Sequence, residues 1–100
     1  MPKVVWTPEA EEQLLQIPSP RTINDLLALS GGIQHLPDRG RRVPELKGRP
    51  EYVLVRELIL PGRARLFYLH VTDSDEVIIL GFLYKGQSFR LSALGPYFNP

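Results

Sequence analysis

The sequence predicts an α+β domain: two N-terminal helices packed on one face of a small antiparallel β-sheet. Three observations carry this. Two helix-start signals, Thr7-Pro8 and Ser19-Pro20, are each followed by apolar residues at helical spacing. After residue 50 the pattern becomes strand-like, with segments 51–60, 63–72 and 76–84 rich in Val, Ile, Leu, Phe and Tyr. Turn signals, Pro61-Gly62 and Thr72-Asp73-Ser74-Asp75, separate those segments.

Taken in order, Lys3-Val4-Val5-Trp6 is a short β-prone segment. Thr7 is a good N-cap, Pro8 suits the first helical position, and Glu9, Glu11 and Glu12 complement the positive end of the helix dipole. Ala10, Leu14 and Ile17 should face the core, and Pro18 ends the helix. Ser19-Pro20 opens a second helix whose apolar stripe is Ile23, Leu26, Leu27 and Leu36, with a break or C-cap expected at Gly31-Gly32. The two helices read as an αα-hairpin with a short connection. Residues 37–50 read as an ordered loop, carrying Arg39, Arg41, Arg42, Lys47 and Arg49 against Asp38 and Glu45. Three strands follow as a meander, and residues 85–100 have turn-like composition.

A chain of 100 residues supports one domain, 1–100. With 43% hydrophobic and 23% charged residues it is globular rather than disordered. A net charge of +1 means that anion binding must come from local clustering rather than from the field of the whole molecule. The absence of Cys excludes a disulfide framework and a thiolate zinc site, and two distant His residues, His35 and His70, argue weakly for any metal. No apolar run approaches the roughly 20 residues that span a bilayer, and the N-terminus lacks signal-peptide order, so the chain is expected in the cytoplasm and off the membrane.

The stretch "RELILPGRARLFYLHV", residues 56–71, sets four basic side chains around the Pro-Gly turn. If Pro61-Gly62 is a two-residue loop, Leu58 pairs with Arg65 and Arg56 with Phe67. Arg56 and Arg65 then become diagonal neighbours on one face, within reach of a shared anion, while Glu57 turns to the other. That other face, with Val55, Ile59, Ala64, Leu66 and Tyr68, is the one expected under the helices. A solvated or internally salt-bridged face remains the alternative to a phosphate site. Past the third strand, Lys85 and Arg90 mingle with Tyr84, Phe89, Tyr97 and Phe98, a mixture that suits unpaired nucleotides or simply caps a small core. His70 reads as a packed or edge residue and His35 as a partner of a helix C-terminus.

The ordered series "VVWTPEAEEQLLQI", "LKG" at 46–48, "VRELILPGRARLFY" and "VIILGFLYKGQSF" resembles RelE/ParE-type toxins of type II toxin–antitoxin pairs. The last piece is similar to the phage-derived, HigB-like branch, with Gly86 where that branch has the second Lys of a Lys-Lys pair. The resemblance implies a cognate antitoxin partner and a ribosome-dependent mRNA endoribonuclease working without cofactor or metal. Its alternative is a ParE-like inhibitor of DNA gyrase that cuts nothing. It implies catalytic roles for Arg65, Arg56 and Lys85, with Tyr97 a looser match. Arg63, Lys47, Arg49, Tyr84 and Arg90 complete the expected RNA or phosphate contacts. No general base stands out.

Overall fold

The computed structural model describes residues 1–91, 93 and 94. The elements run β1 (Lys3–Trp6), α1 (Pro8–Leu15), α2 (Pro20–Gly32), β2 (Arg41–Arg42), β3 (Val55–Leu60), β4 (Ala64–Val71) and β5 (Glu76–Tyr84), with short 3-10 turns at Pro44–Leu46 and Pro50–Tyr52. Both predicted caps form. Thr7 Oγ1 accepts from Ala10 N–H at 3.1 Å and Ser19 Oγ from Thr22 N–H at 3.2 Å, with Pro8 and Pro20 at the first helical positions. Thr7 Oγ1 also donates to the Ile79 carbonyl at 3.1 Å, tying the start of α1 to β5.

The sheet has five strands in the order β1-β5-β4-β3-β2. It is mixed: β1 lies parallel to β5, a pairing that the local pattern did not disclose, and the other neighbours are antiparallel. On one face α1 and α2 bury Ala10, Leu14, Ile17, Leu26 and Ile33 against Leu58, Ala64, Leu66, Tyr68, Val77, Ile79 and Phe82. Leu27 and Leu36, predicted on the apolar stripe, are 45% and 60% exposed. Leu36 lies beyond the end of α2 at Gly32 and so has no helical phase to inherit.

The expected register is overturned. Leu60 pairs with Ala64, Leu58 with Leu66 and Arg56 with Tyr68, so the loop is Pro61-Gly62-Arg63. Arg63 N–H donates to the Leu60 carbonyl at 2.9 Å and Gly62 has φ 72°, the pattern of a type II turn with Pro and Gly at its centre. A type II turn splays strands that a two-residue hairpin would have to join, and a third loop residue relieves this. The slip leaves Leu66 and Tyr68 facing the helices as expected but reverses β3: Val55, Glu57 and Ile59 now share the far face with Arg65 and Phe67. A second irregularity, Leu80 left as the extra residue of a bulge opposite Phe67 and Tyr68, turns Leu80 to that far face as well.

The far face is not bare. A second core there joins Val55, Phe67, Leu69, Leu80 and Leu83 to Val43, Leu46 and Tyr52 from the 43–54 loop and to Ala93 and Leu94 near the chain end. Residues 51–54, expected to begin a strand, instead form part of that cover, leaving Val53 and Leu54 exposed at 45% and 66%. Gly81 lets the crossing segment approach: a Cβ there would sit 1.8 Å from the Ala93 carbonyl oxygen.

Candidate functional site

Arg65 is the centre of the far face. Its Nε and Nη2 donate to Glu57 Oε2 at 3.0 and 2.7 Å, while Nη1 and Nη2 donate to the two oxygens of Glu45 at 2.7 Å each. Its Cζ lies 5.1 Å from the Phe67 ring centroid and 5.7 Å from that of Phe89. Glu57 is fully buried, and Arg41 from β2 approaches it from the opposite side at 3.2 Å. The chain thus builds a line of alternating charge, Arg41–Glu57–Arg65–Glu45. The hydrogen bond from Arg65 holds the Glu45 carboxyl below its usual range, and Glu45, with Glu57 behind it, pushes the Arg65 guanidinium further toward its charged form.

The loop that delivers Arg41 and Glu45 is pinned from the helix side of the sheet. Gly40 N–H donates to Tyr68 Oη at 2.8 Å, and Tyr68 O–H donates to the Pro37 carbonyl at 2.8 Å. Arg56, the register partner of Tyr68, donates to the Gly40 carbonyl at 2.8 Å. A Cβ on Gly40 would meet Tyr68 Oη at 2.6 Å, so only glycine lets the backbone come this close.

The nine predicted site residues separate into five groups. Arg65, Arg63, Tyr84 and Lys85 line one cavity of about 520 Å³, with Arg41 and Glu45 on its wall. Arg63 N–H chemistry is partly spent on α2, where its Nη1 donates to Asp25 at 2.5 Å. Lys85 is fixed there by its backbone N–H, which donates to the Arg63 carbonyl at 2.8 Å, and the following Gly86 sits at φ 90°. A lysine at that position would be strained. Arg56 is a correction: it lies on the opposite face from Arg65, because the three-residue loop shifts β3 by one. Lys47 and Arg49 line a separate cleft, and Arg90 a third cavity that shares Tyr84. Tyr97 falls outside the described residues.

Sequence reasoning missed Glu57 and Glu45 as the partners of Arg65. Glu57 was placed on the wrong face by the turn, and Glu45 is brought near only by tertiary folding of the 43–54 loop. His70 is a packed edge residue as read, its Nε2 3.3 Å from Asp75 and its Nδ1 3.6 Å from Asp38. Among the described residues no group of three or more His, Asp or Glu could hold a metal ion, and no helix is long and apolar enough to cross a membrane.

This arrangement of five strands with two helices on one face is similar to the fold of solved RelE-type toxins. One similar structure is that of the toxin–antitoxin complex RelBE2 from Mycobacterium tuberculosis, with a TM-score of 0.69 and 24% identity over 85% of this chain and 100% of the other. The isolated RelE toxin of E. coli gives 0.64 and 13% over 88% of each chain. The intact E. coli RelBE toxin–antitoxin complex gives 0.63 and 13%, covering 88% of this chain and 100% of that one. No protein-family model matches the sequence, and no curated protein matches it significantly.

Proposed function

We propose that this chain is the toxin of a type II toxin–antitoxin pair, neutralised by a cognate antitoxin, and that it inhibits translation by ribosome-dependent cleavage of mRNA in the cytoplasm. The observation that carries the reading is the meeting of Arg65, Arg63 and Lys85 around one cavity on a toxin fold. The two-guanidinium clamp expected from Arg56 and Arg65 is not part of it. A single arginine, Arg65, takes the phosphate.

The chemistry follows from the charges. In backbone cleavage the 2′-oxygen forms a bond to phosphorus, the bond from phosphorus to the 5′-oxygen breaks, the 2′-OH loses its proton and the leaving oxygen gains one. The protein's part is to hold the phosphate in line and to stabilise the charge that builds on its oxygens, a contribution often worth about 3–4 kcal/mol per donor. Arg65 reaches a phosphate by exchanging one carboxylate for it. Glu45 is the one that yields: its side chain is 38% exposed, so water can solvate the carboxylate that Arg65 releases. Glu57 is buried and stays, keeping the guanidinium plane oriented. Lys85 stands beside the same cavity as a further cation, and Tyr84 as a ring for a base.

A second reading, inhibition of DNA gyrase by protein contact, draws support from the separation of Arg56 and Arg65 and from the carboxylates that already occupy Arg65. Induced expression of Arg65→Lys and Lys85→Ala variants separates the two. Loss of new mRNA 5′ ends, with antitoxin binding retained, is the outcome expected of a nuclease. Growth arrest that persists in both variants and is accompanied by gyrase-dependent DNA breaks would sink the nuclease reading.

A further inference from the structure

The arginines of the hairpin are spoken for. Arg41, Arg56, Arg63 and Arg65 all bond to carboxylates or carbonyls within the chain. Arg42, Lys47 and Arg49 contrast with them: all three are exposed, and among the described residues none has an acidic partner. These three rim a single cleft of about 530 Å³ on the 42–55 segment, which meets the cavity that holds Arg65 and Lys85 at Pro44.

The lining of this cleft is aliphatic. Val43, Leu46 and Val55 form its buried floor, and Val53, 45% exposed, forms part of its lip. Gly48, at φ 83°, turns the chain between Lys47 and Arg49, so the loop leaves both cations at the rim of an apolar trough. The floor is thus the outer side of the second core, and Val53 at the lip adds an exposed apolar side chain beside the three cations.

We infer that the cleft rimmed by Arg42, Lys47 and Arg49 docks an acidic segment of a partner protein, one whose aliphatic side chains enter the trough while its carboxylates meet the three cations. Charge complementarity selects the sign of the occupant. The lining selects peptide over nucleic acid, because bases are held by stacking on exposed ring faces, whereas the one ring in this cleft, Tyr52, is only 8% exposed. Carboxylates with Leu, Ile or Val between them satisfy both the floor and the rim. This inference does not depend on the proposed nuclease activity, which uses the other cavity.

The full-length protein is tested against an immobilised array of peptides of about 12 residues, combining Asp and Glu with Leu, Ile and Val at spacings of two to four, and against the same array with Lys and Arg replacing the acids. Selected binders are measured by fluorescence anisotropy, beside an oligouridine of about ten nucleotides as the nucleic-acid probe. Acidic peptides are expected to bind and the basic set to fail. The double variant Lys47→Glu with Arg49→Glu should weaken the best binder by about tenfold or more. Its thermal midpoint should not change, since both side chains are exposed and unpaired. Val53→Asp should weaken binding as well, by desolvation and repulsion, which distinguishes the trough from a purely electrostatic patch. Equal binding by both arrays, or binding indifferent to the charge reversal, overturns the inference. So does oligouridine binding that the double variant abolishes while acidic peptides fail, and that result would reassign the cleft to nucleic acid.

Discussion

Arg65 holds two carboxylates of unequal consequence, and mutation should expose the difference. Removing Glu45 leaves Arg65 paired with Glu57, so Glu45→Ala should cost under about 1 kcal/mol in chemical denaturation. Removing Arg65 leaves Glu57 buried with only Arg41, whose side chain is 60% exposed, and Arg65→Ala should cost about 3–5 kcal/mol. Equal costs for the two substitutions would mean that Glu45 is not the yielding partner. Gly40 provides a second test at this scale. Gly40→Ala drives a methyl group into Tyr68 Oη and the Glu57 carbonyl, and a loss of about 1–3 kcal/mol is expected, with the largest chemical-shift changes at Arg41 and Glu45 in an NMR spectrum.

At the scale of elements, the hairpin decides the site. Deleting Arg63 would shorten the loop to Pro61-Gly62 with Leu60 still opposite Ala64, so both faces are kept, but it would force a type II turn into a two-residue loop and remove the Arg63–Asp25 bond. That variant should still unfold cooperatively, with a loss of about 1–3 kcal/mol in chemical denaturation. Gly62→Ala tests the same turn more gently: at φ 72° it should cost about 1–2 kcal/mol without changing the register. The helix starts and the existence of β3, β4 and β5 were legible beforehand because Thr7, Ser19 and their prolines act locally, and because apolar alternation needs no knowledge of neighbours. The register was not legible, since Pro-Gly specifies a turn type but leaves the loop length to the twist of the strands it joins.

For the whole molecule, two groups make stability depend on pH in opposite directions. Glu45 has a lowered carboxyl pKa in the folded state, so its contribution is present above the unfolded value of about 4.3 and is lost as pH falls through the folded value. The effect is small and salt-sensitive because the pair is partly exposed, and Glu45→Gln should flatten the acid limb of the stability curve. Burial raises the Tyr68 hydroxyl, so the folded state keeps that proton longer than the unfolded chain does. Stability should therefore be intact below about pH 10 and fall as pH rises from there through the folded value. Tyr68→Phe should remove that alkaline step while loosening the 37–40 loop, both followed by urea unfolding across the pH range.

The sequence by itself determined that this is an α+β domain, where its helices begin, which strands alternate, that Lys85 stands just past a strand end, and that cations gather in the loop of residues 37–50. These follow from interactions a few residues long. Only the tertiary structure decided that Glu57 and Glu45 grip Arg65, that Arg56 serves the opposite face, and that the far side of the sheet has its own core. Each of these depends on which residues oppose one another across a strand pair or a folded loop. A shift of one position, imposed by the geometry of a single turn, exchanges the two faces of β3.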